Sequence, residues 1–252
     1  MRVFTFAERP DLAERTDEVP EAFPEYMGRG EVLVAHWDKL RTQLPELQLV
    51  LWDEERDAVV GYGRTIPARE REGLPGGVDD MVGRWFGGGA RPEPDVLSAL
   101  LVVVDRRRRG EGLSGLIIQE MRGIAGRFGF ASLIAPVRPT WKERYPLIGM
   151  DDYLRWTRAD GLPFDPWIRL HARLGAEQLE VCPASMAIEG TREEWEEWVG
   201  MRFPADGSYV VPGALVPVQF SNGRGAHVEP NLWMRHSVEP EPDARPALHW
   251  ER

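Results

Sequence analysis

Residues 98–128 read SALLVVVDRRRRGEGLSGLIIQEMRGIAGRF. Ala99 to Val104 is an apolar run with the length and β-branched content of a buried strand. Four arginines follow, Arg106 to Arg109, and then a turn punctuated by Gly110, Gly112 and Gly115. Beyond it Leu113, Leu116, Ile117, Met121, Ile124, Ala125 and Phe128 recur at helical spacing. The stretch thus predicts a strand that feeds a basic, glycine-rich turn opening directly into a helix.

Such a turn is suited to anions. The first turn of a helix carries N–H groups without intrahelical partners and the positive end of the helix dipole. Glycines let a phosphate approach that backbone, and arginines add positive charge around it.

Two readings compete for the turn. Gly110, Gly112 and Gly115 match the dinucleotide pattern G-x-G-x-x-G, which needs a βαβ context to carry weight. Four charged arginines separate the strand from the glycines here, and the preceding segment reads as an antiparallel hairpin. The turn more closely resembles the acyl-CoA site of the GCN5-related N-acetyltransferases, whose signature is Gln/Arg-x-x-Gly-x-Gly/Ala after a central strand. In this chain it reads Arg107-Arg108-Arg109-Gly110-Glu111-Gly112.

Working outward, Val3 to Phe6 read as a first strand, and Asp11 to Gly30 as short helices or loop. Val32, Leu33, His36, Trp37 and Leu40 share a helical face, predicting a helix from Glu31 to Leu44 stopped by Pro45. Gln48–Trp52 and Ala58–Ile66 form a hairpin around a polar joint. Strand, helical region and hairpin before a central strand is the order of elements in that acetyltransferase family.

Ala131 to Val137 is the next strand. In the family this strand and the central one lie parallel and splay apart, and the pantetheine arm of CoA enters between them. Arg138 to Pro146, dense in charge and aromatics, follows where the chain leaves the gap and is expected to line an acceptor pocket. Asp165 caps a predicted helix with Pro166 at its first position, and Gly175 ends it. The family carries a tyrosine four residues before that glycine, associated with protonating the departing thiolate; His171 stands there instead. An imidazolium is an acid available near neutrality.

Gln178 to Ile188 contains a strand-like half, and Thr191-Arg192-Glu193-Glu194 is a capping box opening a short helix. Val216–Phe220 and Ala226–Met234 flank the turn signal Asn222-Gly223. In the second of these strands His227, Glu229, Asn231, Trp233 and Arg235 share one face, as an acceptor wall or, more simply, as the wet face of an edge strand. His227 and Glu229 are candidates by type for the general base.

The expected architecture is therefore α/β, an acyl-CoA N-acyltransferase fold with a mixed central sheet, helices on both faces and a C-terminal β extension. One domain over residues 1–235 would carry inserts at 67–94 and 138–163, with 236–252 as a proline-rich, acidic tail. The resemblance implies transfer of an acyl group, acetyl first, from acyl-CoA to an amine by direct attack. Val102, Val103 and Val104 would hold the thioester and pantetheine through their backbone. Arg107, Arg108, Arg109, Gly110, Glu111, Gly112, Leu113, Ser114 and Gly115 would hold the pyrophosphate. Two alternatives stand beside this: a non-catalytic acyl-CoA-binding module, and an NADP-dependent oxidoreductase with Arg138 near the ribose.

Composition narrows the partners. The 252 residues carry a net charge of −10, which disfavours general nucleic-acid binding. Cys182 is the single cysteine, and no apolar run is long enough to span a bilayer. The histidines have no ligand-like spacing, so no metal is expected. The reading is a cytoplasmic protein, compatible with a homodimer, acting on a small-molecule or peptide amine.

Overall fold

The computed structural model describes residues 1–20, 23–89 and 93–239; the expected tail from 240 onward lies outside them. Among the described residues nine strands form one sheet: β1 (Arg2–Thr5), β2 (Leu49–Asp53), β3 (Ala58–Ala68), β4 (Val96–Val104), β5 (Ser132–Val137), β6 (Glu177–Thr191), β7 (Gly207–Tyr209), β8 (Val218–Ser221) and β9 (Arg224–Ser237). Their order is β1-β2-β3-β4-β5-β9-β8-β7, with β6 along the other side of β9. All pairings are antiparallel except β4 with β5. A dinucleotide fold requires parallel neighbours flanking its glycine-turn unit, so this sheet overturns the oxidoreductase alternative.

The helices are α1 (Pro10–Glu14), α2 (Glu31–Gln43), α3 (Val78–Phe86), α4 (Leu113–Arg127), α5 (Met150–Leu154), α6 (Pro166–Arg173) and α7 (Arg192–Val199). The 67–94 insert contains α3, which buries Val78, Met81, Val82, Trp85 and Phe86. The capping box forms: the Glu194 amide donates to Thr191 Oγ1 at 3.2 Å and the Thr191 amide to Glu194 Oε2 at 2.7 Å.

Packing around the central stretch explains its glycine-containing neighbour β3. A Cβ at Gly63 would lie 2.4 Å from Met121 Cε and 2.9 Å from Ile117 Cγ2, so α4 sits close on the sheet only because no side chain intervenes. On the other face Phe6, Leu12, Val19, Val50, Trp52, Tyr62 and Val103 make a second buried cluster beneath α1.

β9 corrects an expectation. It is an interior strand, with β6 on one side and β8 then β5 on the other. Its polar residues His227, Glu229 and Asn231 are buried rather than wet. It also runs through His236 and Ser237, residues expected at the start of the tail, because both pair with β5.

Candidate active site

The site begins where β4 leaves β5. The two strands share only the pairs Leu97↔Leu133 and Ser98↔Ile134. β4 stays bound to β3 as far as Val104, and β5 stays bound to β9 as far as Val137. Past Ser98 and Ile134 each strand therefore follows its own neighbour, and the edge of β4 over residues 99–104 is left unpaired on that side. That edge includes Val102, Val103 and Val104. A bulge marks its start: Thr65 pairs with Ala99 and Arg64 with Leu101, leaving Leu100 without a partner and turning the strand.

At the far end of this edge the chain makes a 3₁₀ turn over Arg106–Arg108 and enters α4. Gly112, the residue before the helix, has φ +79°, a left-handed conformation that favours glycine. No side chain caps α4, so the amides of Leu113, Ser114 and Gly115 have no intrahelical acceptor. Such a helix start, beside an open strand edge, provides directed N–H donors for a phosphate.

The arginines act differently from expectation. Arg107 is held by Asp105, with Nη2 2.6 Å from Oδ2, and Arg108 is shared by Asp53 at 2.8 Å and Glu111 at 2.7 Å. These pairings hold the Asp105 and Glu111 carboxyls, and that of Asp53, below the usual carboxylate range. Two of the four guanidinium groups thus brace the turn, and Arg109 is exposed beside Gly110 and Glu111.

His171 does not present an imidazolium. It is buried, and its Nδ1 lies 2.9 Å from Nε2 of His236 on β9. Burial, and then the neighbouring His236, push its pKa down to about 3. Trp167 packs edge-on against its ring at 4.8 Å between centroids. Neutrality removes the acid that the sequence reading assigned to this position.

His227 and Glu229 form a different cluster. His227 Nε2 is 3.2 Å from Glu229 Oε2, while Arg138 Nε donates to Glu229 Oε1 at 2.7 Å and its Nη2 to the Gly213 carbonyl at 2.5 Å. Burial alone raises the pKa of the Glu229 carboxyl, but Arg138 and His227 outweigh it and hold the group below the usual range. A stabilised carboxylate with both oxygens engaged is a poor general base. Arg138, read as a pocket or ribose residue, is committed to this ion pair.

Of the three residues proposed for catalysis, His227 and Glu229 meet each other and His171 stands apart from them. On β9, His236 meets His171, whereas His227 and Glu229 are at odd positions and occupy the opposite face. Arg235 is level with Ile134 at the closed end of the gap, and Glu229 lies six residues further along, roughly 20 Å at 3.3 Å per residue. Among the other expected lining residues, Lys142 is buried, with Nζ donating to the Tyr145 and Leu215 carbonyls at 2.8 and 2.7 Å. Burial lowers its pKa to about 8. Asp165 caps α6 as expected and also accepts from the Trp141 amide and the Tyr153 hydroxyl.

Sequence reasoning missed the bulge at Leu100, the Arg138–Glu229 pair and the buried hydroxyl of Ser98. None has a local signature, because each arises from which strand lies beside which.

No protein-family model matches the chain. It is 28% identical over 270 residues, covering 93% of both chains, to the arginine N-acetyltransferase avaD of Aspergillus versicolor. Among solved structures it resembles the loading GNATL domain of CurA from Lyngbya majuscula, with TM-score 0.58 and 16% identity over 94% of this chain and 98% of that one. It also resembles the GNAT-like decarboxylase GphF in complex with isobutyryl-CoA, with TM-score 0.54 and 17% identity over 94% and 99%. The chain thus has the fold of the GNAT-like proteins, and along nearly its whole length it is similar to a curated arginine N-acetyltransferase.

Proposed function

We propose that the protein is an N-acyltransferase that moves an acyl group, acetyl first, from acyl-CoA to an amine. The observation that carries this is the gap opening between β4 and β5 at Ser98, leading along an unpaired strand edge to the uncapped start of α4. A pyrophosphate would sit on the amides from Gly110 to Gly115, and a pantetheine amide chain would bond the β4 edge over 99–104 as an added strand does.

The amine attacks the thioester carbonyl directly, and strand amides at the bulge receive the developing oxyanion. Neither His171 nor Glu229 supplies the proton transfers, so these pass through water. Because the full-length relative acts on arginine, arginine is the first acceptor to assay. No helix of the described residues is long and apolar enough to cross a membrane, and a single buried thiol suits a reducing, cytoplasmic setting.

A second reading, acyl-CoA binding without catalysis, is favoured by one observation: His171 is neutral and faces the core. Calorimetric titration with acetyl-CoA, with desulfo-CoA and NADP as comparisons, tests the cofactor. Thiol release in the presence of arginine and other amines then separates the two readings. Binding without thiol release under any amine sinks the enzyme reading, and binding of NADP alone sinks both.

A further inference from the structure

Ser98 is fully buried, and its Oγ has no hydrogen-bond partner among the described residues. It occupies the closed end of the gap, paired with Ile66 on β3 and with Ile134 on β5 in the last parallel pair before the strands separate. Along the chain it is flanked by Leu97, Ala99 and the bulged Leu100, and Leu133 stands beside it on β5. Its cross-strand partners and its neighbours along the strand are thus apolar. A buried hydroxyl left unsatisfied destabilises the fold, and alanine would fill the same place without that penalty.

The open edge has a direction and an end. From Val104, next to the phosphate turn, to Ser98 it measures six residues, about 20 Å of strand. A chain-like ligand anchored at the turn and threaded along this edge stops where β4 and β5 become hydrogen-bonded to each other. Its reactive end then lies at Ser98.

We infer that Ser98 is a catalytic hydrogen-bond donor, its hydroxyl meeting the carbonyl oxygen of the thioester; this rests on the acyl-CoA reading. In the step it serves, the amine nitrogen bonds to the carbonyl carbon and the π pair moves onto oxygen. Ser98 Oγ–H and the strand amides bind that oxyanion. Collapse restores the carbonyl, the C–S bond breaks with its electron pair leaving on the CoA thiolate, the ammonium gives its proton to water and the thiolate takes one from water. Ser98 keeps its own proton throughout.

The test compares wild type with Ser98→Ala by infrared difference spectroscopy of bound acetyl-CoA labelled with ¹³C at the carbonyl. Loss of the donor moves the carbonyl stretch to higher frequency in the variant. Acetyl-CoA affinity stays within about threefold, Tm is equal or higher, and kcat with the best amine falls by on the order of 100-fold. Superimposable carbonyl bands, an unchanged kcat, or a variant that melts lower or fails to fold would each overturn the inference and leave acyl transfer standing. Failure of the wild type to bind acetyl-CoA would overturn the acyl-CoA reading, and this inference with it.

Discussion

Acidification provides a severe test of the buried histidine pair. His171 on α6 and His236 on β9 share one hydrogen bond of 2.9 Å, and among the described residues His171 Nε2 and His236 Nδ1 have no partner. Burial and His236 lower the pKa of His171 to about 3, and burial and Arg122 lower that of His236 to about 4. Both therefore lie below the value of 6.5 that an unfolded chain retains. As pH falls through 6.5 the unfolded chain takes up protons that the folded protein refuses, so stability is intact above that value and is lost progressively down to about pH 3.

At pH 5, 1.5 units below the unfolded pKa, each histidine contributes a loss of about 2 kcal/mol at 1.36 kcal/mol per unit, about 4 kcal/mol for the pair. That is a large share of a typical folding free energy of about 5–15 kcal/mol. The window isolates the histidines, since carboxylates with lowered pKa values lose their contributions only below their own unfolded range near pH 4. Urea unfolding followed by tryptophan fluorescence at pH 7.5, 6.5, 5.5 and 5.0 measures the loss. His236→Gln should show about half the slope of wild type, and the double variant with His171→Gln almost none. A wild-type stability constant within 1 kcal/mol from pH 7.5 to 5, or equal slopes in all three proteins, would refute the reasoning.

Glu229→Ala strands the Arg138 guanidinium without its counter-charge in the interior and should cost about 3–5 kcal/mol in chemical denaturation; a loss below 1 kcal/mol would mean that the ion pair is not closed in solution. Gly112→Asp forces a side chain into a left-handed conformation and places a carboxylate at the start of α4, so calorimetry should show acetyl-CoA affinity reduced more than tenfold; unchanged affinity would move the phosphate site elsewhere. Asp165→Ala removes the α6 cap and the anchors of Trp141 and Tyr153 together, with an expected loss of about 2–4 kcal/mol and a lower Tm, whereas an unchanged Tm would show that the 138–163 insert holds by its aromatic contacts alone.

Much of the fold was legible in local pattern. The apolar run at 99–104, the glycines at 110 and 112 and the helical spacing from Leu113 specify strand, left-handed turn and helix through interactions between residues close in the chain. The same holds for the Thr191–Glu194 capping box and for Asp165 before Pro166, whose side chains reach the amides of their own helices.

What the sequence could not express was register and burial between segments far apart. β4 and β5 part after Ser98 because one follows β3 and the other β9, and the bulge at Leu100 exists only in the pairing with Arg64 and Thr65. His171 looks in sequence like an accessible acid, yet His236, 65 residues away, and the core around it hold it neutral. Glu229 looks like a base until Arg138, 91 residues earlier, closes on it. A side chain's type is set by the sequence alone, but its charge, its partner and its place in a reaction depend on the dielectric and the neighbours that only the folded chain assembles.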